Sequence, residues 1–189
     1  MKSVEIIGFK RANLGKADSK ALRLESNVPC VLYGGAEQVH FYVPAILFRD
    51  LVYTPNAHTV ELNIEGKISQ AILQDIQFHP VNDMILHADF LVLDPAKEVK
   101  MNVPVKVEGT SVGVQKGGKL TVKLRKLTVK ALPAALPDFV TVDVTSLDLG
   151  KTIKVGQIPA GGYAILNAAS TPVISIEIPR ALKSAGAGK

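Results

Sequence analysis

The sequence predicts a mainly β protein of two domains. Apolar and polar residues alternate over most of the chain, turn-forming residues separate the alternating segments, and only two short segments follow helical spacing. A chain of 189 residues, 47% of them hydrophobic, is long and apolar enough to bury a core. We place a first domain at 1–95, an all-β second domain at 96–180 and a disordered tail at 181–189.

The first 35 residues predict a strand, a helix and a second strand. Residues 3–9 alternate as a strand does, and the helix that follows is expected to be capped by Asp18 or Ser19. The apolar run 28–35 ends in two glycines, which predicts a buried strand and a turn. Cys30 lies within this run, so we expect a small core residue and not a nucleophile.

The rest of the first domain predicts one more helix and two hairpins. Residues 40–43 form a short strand, and residues 44–53 follow the helix pattern with Pro44 at the first helical position. Alternation on both sides of residues 65–67 predicts a hairpin, and the turn-forming residues 80–83 predict a second one.

The second half reads as strands alone. Five segments alternate between Gly, Pro and Asp turns, and none follows convincing helical spacing. They are 99–109, 119–132, 139–144, 151–155 and 172–179.

Charge is unevenly distributed along the chain. The net charge is +5, but residues 1–23 carry six Lys and Arg against two acids, and residues 96–130 carry nine against two. Residues 24–95, between them, carry two against nine. Two basic segments separated by an acidic one indicate a localised contact with a polyanion.

Several function classes are disfavoured by composition. A single cysteine excludes an internal disulfide framework and fits a reducing cytosol. We find no signal peptide and no stretch of ~20 apolar residues, so we expect no membrane association. The stretch around Lys16 fails the phosphate-loop pattern, because six residues separate Gly8 from Gly15 and Ala17 replaces the required hydroxyl.

Polar residues near the second hairpin suit RNA better than catalysis. His79, His87 and Asp89 match no compact metal-ligand spacing, and no nucleophile with a base and an orienting group stands out. Gln74, Gln77, His87 and Asp89 lie on adjacent predicted strands, with His87 and Asp89 on one face. Such groups read base edges and 2′-hydroxyls, whereas Lys and Arg mainly hold phosphates.

Four segments in register carry a family resemblance. They are "GKADSKALR", "VPCVLYGG", "LQDIQFHP" and "LHADFLVL". Together they resemble the bacterial large-subunit ribosomal proteins, number twenty-five of that subunit, that bind 5S ribosomal RNA. The later segments "VPVKVEGTSVGVQKGGKL" and "LPDFVTVDVTSLDLGKTI" look like the second domain of the long form, the general stress protein Ctc type.

The resemblance implies a six-stranded β-barrel with two helices, similar to the anticodon-binding barrels of glutaminyl-tRNA synthetase. The barrel would dock on loop E of 5S RNA from the minor-groove side. Residues expected to contact RNA are Arg11, Lys16, Ser19, Lys20, Arg23, Tyr33, Gln74, His87 and Asp89. Two positions depart from relatives, since Ala21 stands where some carry a basic residue and Phe78 replaces an Arg of short relatives.

The predicted function is a non-enzymatic, structural constituent of the large ribosomal subunit in the cytoplasm. Expected partners are 5S ribosomal RNA and neighbouring subunit proteins, and we expect no cofactor, metal or small-molecule substrate. Off the ribosome we expect a monomer. Two alternatives are a stress-induced RNA-binding factor acting off the ribosome, and a hydrolase or metal enzyme built on the face of His87 and Asp89.

Overall fold

Six strands of the N-terminal half close into a barrel. The computed structural model describes residues 1–35 and 37–179, and in it the barrel strands follow each other around the wall in the order β1-β3-β2-β6-β5-β4. Their bounds are β1 Lys2–Lys10, β2 Asn27–Tyr33, β3 Val39–Pro44, β4 His58–Ile64, β5 Lys67–Phe78 and β6 Ile85–Val92. The prediction of a six-stranded barrel is confirmed.

Two parallel strand pairs join parts of the barrel that are distant in sequence. Lys2 of β1 pairs with His58 of β4, and Cys30 of β2 pairs with Ala88 of β6, while the other four pairs are antiparallel. The β4–β5 hairpin turns at Glu65 and Gly66, as predicted. Both have positive φ, 51° and 90°, which a tight hairpin turn requires.

The barrel interior is filled by alternate residues of every strand. Phe41, Phe48 and Phe90 meet there, with Phe90 ring centroids 5.8 Å from Phe41 and 6.2 Å from Phe48. Cys30 is buried in the same core, as expected. Burial is the main cause that raises the pKa of its thiol, so the thiol stays protonated at neutral pH.

The first helix, α1, spans Lys16–Leu24 and begins earlier than expected. The prediction that Asp18 or Ser19 caps it was wrong, because Gly15 precedes the first helical residue and both side chains lie inside the first turn. The Asp18 carboxylate accepts hydrogen bonds from Arg11 instead. The Ser19 hydroxyl donates to the Gly15 carbonyl at 2.8 Å.

The second predicted helix is two short pieces, a 3₁₀ turn at Ala45–Phe48 and α2 at Arg49–Val52. Pro44 is not the first helical residue, because it pairs with Asn27 as the last residue of β3. Phe48 and Leu51 point into the core, whereas Ile46 is exposed.

The chain divides into two units. Of the described residues, 1–35, 37–101 and 132–134 form the first, and 102–131 with 135–179 form the second. The strands after the barrel form a four-stranded sheet, β10-β7-β9-β12, and a three-stranded sheet, β11-β13-β8. Their bounds are β7 Val99–Glu108, β8 Lys119–Val122, β9 Lys126–Ala131, β10 Val140–Asp143, β11 Thr152–Lys154, β12 Ala164–Ile165 and β13 Pro172–Glu177. The predicted boundary at 95/96 falls within the first unit, and the predicted tail 181–189 lies outside the described residues.

Two details of the second half differ from expectation. Residues 119–132, predicted as one strand, form β8 and β9, which bend apart at Lys123–Arg125 and enter different sheets. A helical turn, α3, spans Val112–Gln115, because the Ser111 hydroxyl accepts a hydrogen bond from Val114 N at 3.1 Å and caps it. Two 3₁₀ turns occur at Pro133–Ala135 and Val155–Gln157. In the described part of the chain, no helix is long and apolar enough to cross a membrane.

Candidate nucleic-acid interface

Helix α1 lies along the outer surface of β2. Pro29 and Val31 alternate with core residues of β2 and therefore point out of the barrel, yet both are buried. The helix thus covers the middle of β2 and forms a ridge on the barrel wall. One flank of the ridge faces β3 and β1, and the other faces β6 and β5.

Arg11 fixes the start of this helix to the barrel. Its side chain is only 8% exposed, and Nη2 donates to Asp18 Oδ2 at 2.7 Å and to Ser19 Oγ at 3.1 Å. Its backbone N–H donates to the His40 carbonyl of β3. Arg11 and Ser19 were predicted to contact RNA, but here their polar groups are used within the protein, which suits a positioning role.

The outward face of α1 carries the exposed cations. Lys16, Lys20 and Leu24 follow each other at four-residue intervals, and all three are exposed. Neither lysine makes an ion pair with any residue that the structure describes. Arg23 lies at the β6 side of the helix, where Nε donates to the Leu86 carbonyl at 3.0 Å. It therefore anchors the helix end while its Nη groups remain as donors.

A polar face borders α1 on β6 and β5. His87 pairs across the strands with Gln77, and Asp89 pairs with Asp75, so all four side chains project to the outside. His87 Nδ1 lies 2.6 Å from Asp89 Oδ1, which confirms that the two share a face. Asp89 Oδ1 is buried against this imidazole nitrogen, so the exposed third of the Asp89 side chain, and not Oδ1, is the part that RNA can reach.

A β-bulge at Gln74 sets which residues reach this face. The register passes from Leu73 opposite Phe90 directly to Asp75 opposite Asp89, so Gln74 is the extra residue. Gln74 is exposed at the bulge. Without the bulge, Asp75 would point into the core. Asp75 was absent from the predicted contacts, although the adjacent polar residues Gln74 and Asp75 between the core positions Leu73 and Ile76 mark the change of phase.

The two carboxylates shape the chemistry of Tyr33, at the end of β2. Burial, and then the negative charges of Asp89 and Asp75, raise the pKa of the Tyr33 phenol. The phenol is therefore a neutral hydrogen-bond donor at any physiological pH. With the His87 ring and the Gln77 amide, the face offers donors and acceptors in the planar groups that read RNA base edges and 2′-hydroxyls.

The other flank of α1 carries an aromatic pair that sequence reasoning missed. Phe9 of β1 stacks on Tyr42 of β3, with centroids 5.5 Å apart and planes at 29°, and 44% of Phe9 is exposed. The alternation of β1 could have revealed Phe9, because it places this aromatic residue on the outward face of the strand. Phe78, the departure noted above, is also exposed at the end of β5.

Two further features of the sequence have partners within the protein. His79 lies in the β5–β6 turn, where its Nδ1 accepts a hydrogen bond from Val81 N at 3.3 Å. Among the residues described, no three His, Cys, Asp or Glu side chains converge as metal ligands would. In the second unit, Lys116 pairs with Asp148 at 2.9 Å, and Lys123 pairs with Glu177. Part of the positive charge of residues 96–130 is therefore neutralised internally.

Comparison with known proteins follows the division into two halves. Residues 6–90 match the model of the ribosomal L25p family, which covers the barrel and α1. Residues 98–180 match the model of the C-terminal domain of ribosomal protein TL5.

Similar proteins extend over nearly the whole chain. One from Cytophaga hutchinsonii is 60% identical over 97% of this chain and 95% of its own length. Another, from Amoebophilus asiaticus, is 52% identical over 99% of this chain and 95% of its own length. A third, from Phocaeicola vulgatus, is 50% identical over 99% of this chain and 98% of its own length. Each is named large ribosomal subunit protein bL25.

Proposed function

Because this chain belongs to the ribosomal L25p family, we propose that it is a structural, non-enzymatic constituent of the large ribosomal subunit. We further propose that it binds the loop E region of 5S ribosomal RNA. It would act in the cytoplasm, on the ribosome, beside other subunit proteins, and would be a monomer when free.

The observation that supports RNA binding is the arrangement of two kinds of contact side by side. The exposed lysines of α1 lie on a ridge, and the polar face of Tyr33, His87 and Asp89 borders it. Regular A-form RNA exposes a shallow minor groove lined with 2′-hydroxyls, so a ridge with a flanking polar face fits its shape. Lys16 and Lys20 would neutralise phosphates, while the strand face would distinguish irregular base pairs.

Individual residues receive different roles in this proposal. Tyr33, Gln77 and His87 would donate or accept hydrogen bonds at base edges, and the exposed part of the Asp89 carboxylate would accept from a 2′-hydroxyl or an exocyclic amine. Gln74, which is exposed at the bulge, would contact RNA beside the polar face. Arg11 and Ser19 would act through α1, by holding its lysines in place.

Gel-shift titration of the full chain tests the proposal. We expect 5S RNA to bind well above a control RNA of equal length at physiological salt. Equal affinity for both RNAs would remove the claim of specific binding. Sedimentation with ribosomes then separates a subunit constituent from a factor that acts elsewhere, because a constituent stays with the large subunit.

We also propose that selectivity resides in residues 1–95, while residues 96–189 add non-specific affinity or a second ribosomal contact. Arg125 and Lys126 are exposed cations of the second unit. Replacing both with Ala in the full chain should weaken binding to 5S and control RNA by the same factor. A loss confined to 5S RNA would contradict this division.

A further inference from the structure

A cleft of about 530 Å³ opens where α1 ends, on the first unit. Its walls come from the end of α1, the start of β2, the segment after α2 and the β5–β6 turn. This volume falls within the ~300–1,000 Å³ range of small-molecule sites. Arg23 lines the cleft, so it adjoins the lysine ridge directly.

The wall residues combine apolar surface with planar polar groups. Leu24 and Tyr53 line the cleft and are 79% and 63% exposed, and Met84 beside them is also exposed. Asn27 and Asn82 contribute side-chain amides. The Asn82 amide makes only long contacts to Met84, 3.4 Å from Nδ2 to the sulfur and 3.3 Å from the Met84 N–H to Oδ1. A ligand with better geometry can replace them.

Two chain reversals bound the cleft. Ser26, with φ of 60°, directly follows the C-cap of α1, and Asp83, with φ of 54°, lies in the β5–β6 turn. Positive φ is common where a helix ends and in turns. Both residues line the cleft, so the end of α1 and the β5–β6 turn meet at its edge.

We propose that this cleft binds one unpaired nucleotide of the RNA that docks on α1, with the base stacked on Tyr53. The base edge would be read by Asn27, Asn82 and Asp83, and the Arg23 Nη groups would bind its phosphate. This inference rests on the proposed function and extends it from the strand face to a second, single-base contact.

The lining favours a base over an apolar side chain of a protein partner. An apolar anchor would bury the amides of Asn27 and Asn82 and the Asp83 carboxylate without partners, which is unfavourable. A base satisfies amide and carboxylate groups along its edges and offers both faces for stacking. The cleft is also continuous with the cationic face of α1, along which an RNA backbone would run.

The test uses Tyr53→Ala in the full chain, with Tyr53→Phe and Ile68→Ala as matched variants. Tyr53→Phe keeps the stacking ring, and Ile68, 61% exposed at the start of β5, removes similar apolar surface away from the cleft. We expect Tyr53→Ala to bind 5S RNA roughly tenfold more weakly, as the loss of one stacked base predicts. Both matched variants should bind like the wild type.

A set of 5S RNAs, each with one unpaired nucleotide made abasic, identifies the occupant. One abasic RNA should weaken wild-type binding by the same factor and bind Tyr53→Ala without further loss. If the wild type prefers 5S RNA but Tyr53→Ala binds it equally well, the cleft is not a base site, although the proposed function stands. Loss of large-subunit association by Tyr53→Ala with intact RNA binding would instead assign the cleft to a protein. If the wild type shows no preference for 5S RNA, the proposed function fails and this inference fails with it.

Discussion

Helix α1 and the segment 116–126 are both basic, but they differ in how much charge they leave available. Lys16 and Lys20 project from α1 without an ion-pair partner among the residues described. In the segment 116–126, the side chains of Lys116 and Lys123 are paired with Asp148 and Glu177. A count of charges along the sequence therefore overstates how much positive charge the segment 116–126 can offer to a polyanion, compared with α1.

The largest effect is expected from removing the residue that positions α1. Arg11→Ala should lower the free energy of unfolding of the first unit by about 2–3 kcal/mol, because it leaves the Asp18 carboxylate without its partner. Asp18 is partly exposed, and water therefore limits the loss. Urea unfolding measures the change. Arg125→Ala, an exposed cation of the second region, should change stability by no more than ~0.5 kcal/mol. Equal effects of the two substitutions would remove the positioning role of Arg11.

On the proposed division of roles, the polar face beside α1 should discriminate between RNAs, whereas the second region should not. His87→Ala or Asp89→Ala is expected to reduce the preference for 5S over control RNA by about 1–3 kcal/mol, if each base contact is as strong as a good one in DNA. His79→Ala, in the nearby turn, is the control and should leave the preference unchanged. Paired gel-shift titrations measure it. A His87 variant that melts earlier but keeps full selectivity would make that residue structural only.

The comparison between free and paired lysines can be sharpened with salt. Lys20→Ala should reduce the slope of log affinity against log salt by about 0.7–0.9, the value for one fewer released counterion. Lys123→Ala should reduce it less, because Glu177 already neutralises that ammonium group. Affinities at several salt concentrations give both slopes. Equal reductions would mean that RNA displaces Glu177 from its lysine.

The smallest expected effect is a difference between the two units in the stability that each loses at low pH. Hydrogen bonds from Lys116, Lys123 and the Thr145 hydroxyl lower the pKa of Asp148, Glu177 and Asp143 in the second unit. In the first unit, a hydrogen bond from the Ala96 N–H lowers the pKa of Asp94. A carboxyl with a lowered folded-state pKa stabilises fully above its usual value of ~4, and this contribution is lost as the pH falls towards the folded value.

Acidification below ~pH 4 should therefore destabilise the second unit more than the first, by a small margin because these groups are exposed. Hydrogen exchange resolved by residue, at neutral and acid pH, measures both units in one sample. The double variant Lys116→Ala, Lys123→Ala should reduce the difference. Identical acid sensitivity of the two units would contradict the expectation.

Alternation predicted the barrel strands well, and its exceptions have physical causes. The β4–β5 hairpin was found because the alternating segments meet at a turn that suits Glu65 and Gly66. Residues 119–132 were read as one strand, although the apolar positions change phase, from Leu120 and Val122 to Leu127 and Val129. That change of phase marks where the chain leaves one sheet for another. An analysis that looks only for alternation, and does not follow whether the apolar positions are odd or even, misses this break between the two strands.

The candidate site was harder to predict than the strands that carry it. Sequence spacing placed His87 and Asp89 on one face, because both belong to one uninterrupted strand. Strict alternation did not place Asp75 with them, because the bulge at Gln74 shifts the strand by one residue and is visible only in the three-residue spacing of Leu73 and Ile76. Nor could sequence spacing distinguish the buried Arg11 from the exposed Lys16 and Lys20. Arg11 precedes α1 and is buried because α1 packs on β2 and brings Asp18 to it, whereas the two lysines lie on the outer side of the helix.

The two parallel strand pairs also govern when the barrel can form during synthesis. β1 is made first, yet its partner along one edge is β4, and β2 waits for β6 along its own edge. Each pair closes a loop of more than fifty residues, and such non-local pairing is slow because chain entropy is lost before contacts form. A nascent chain whose synthesis has not passed Val92 holds β1 and β2 without a complete wall. The surface made by α1 and the strands beside it therefore cannot be complete until β6, which ends almost halfway along the chain, has been made.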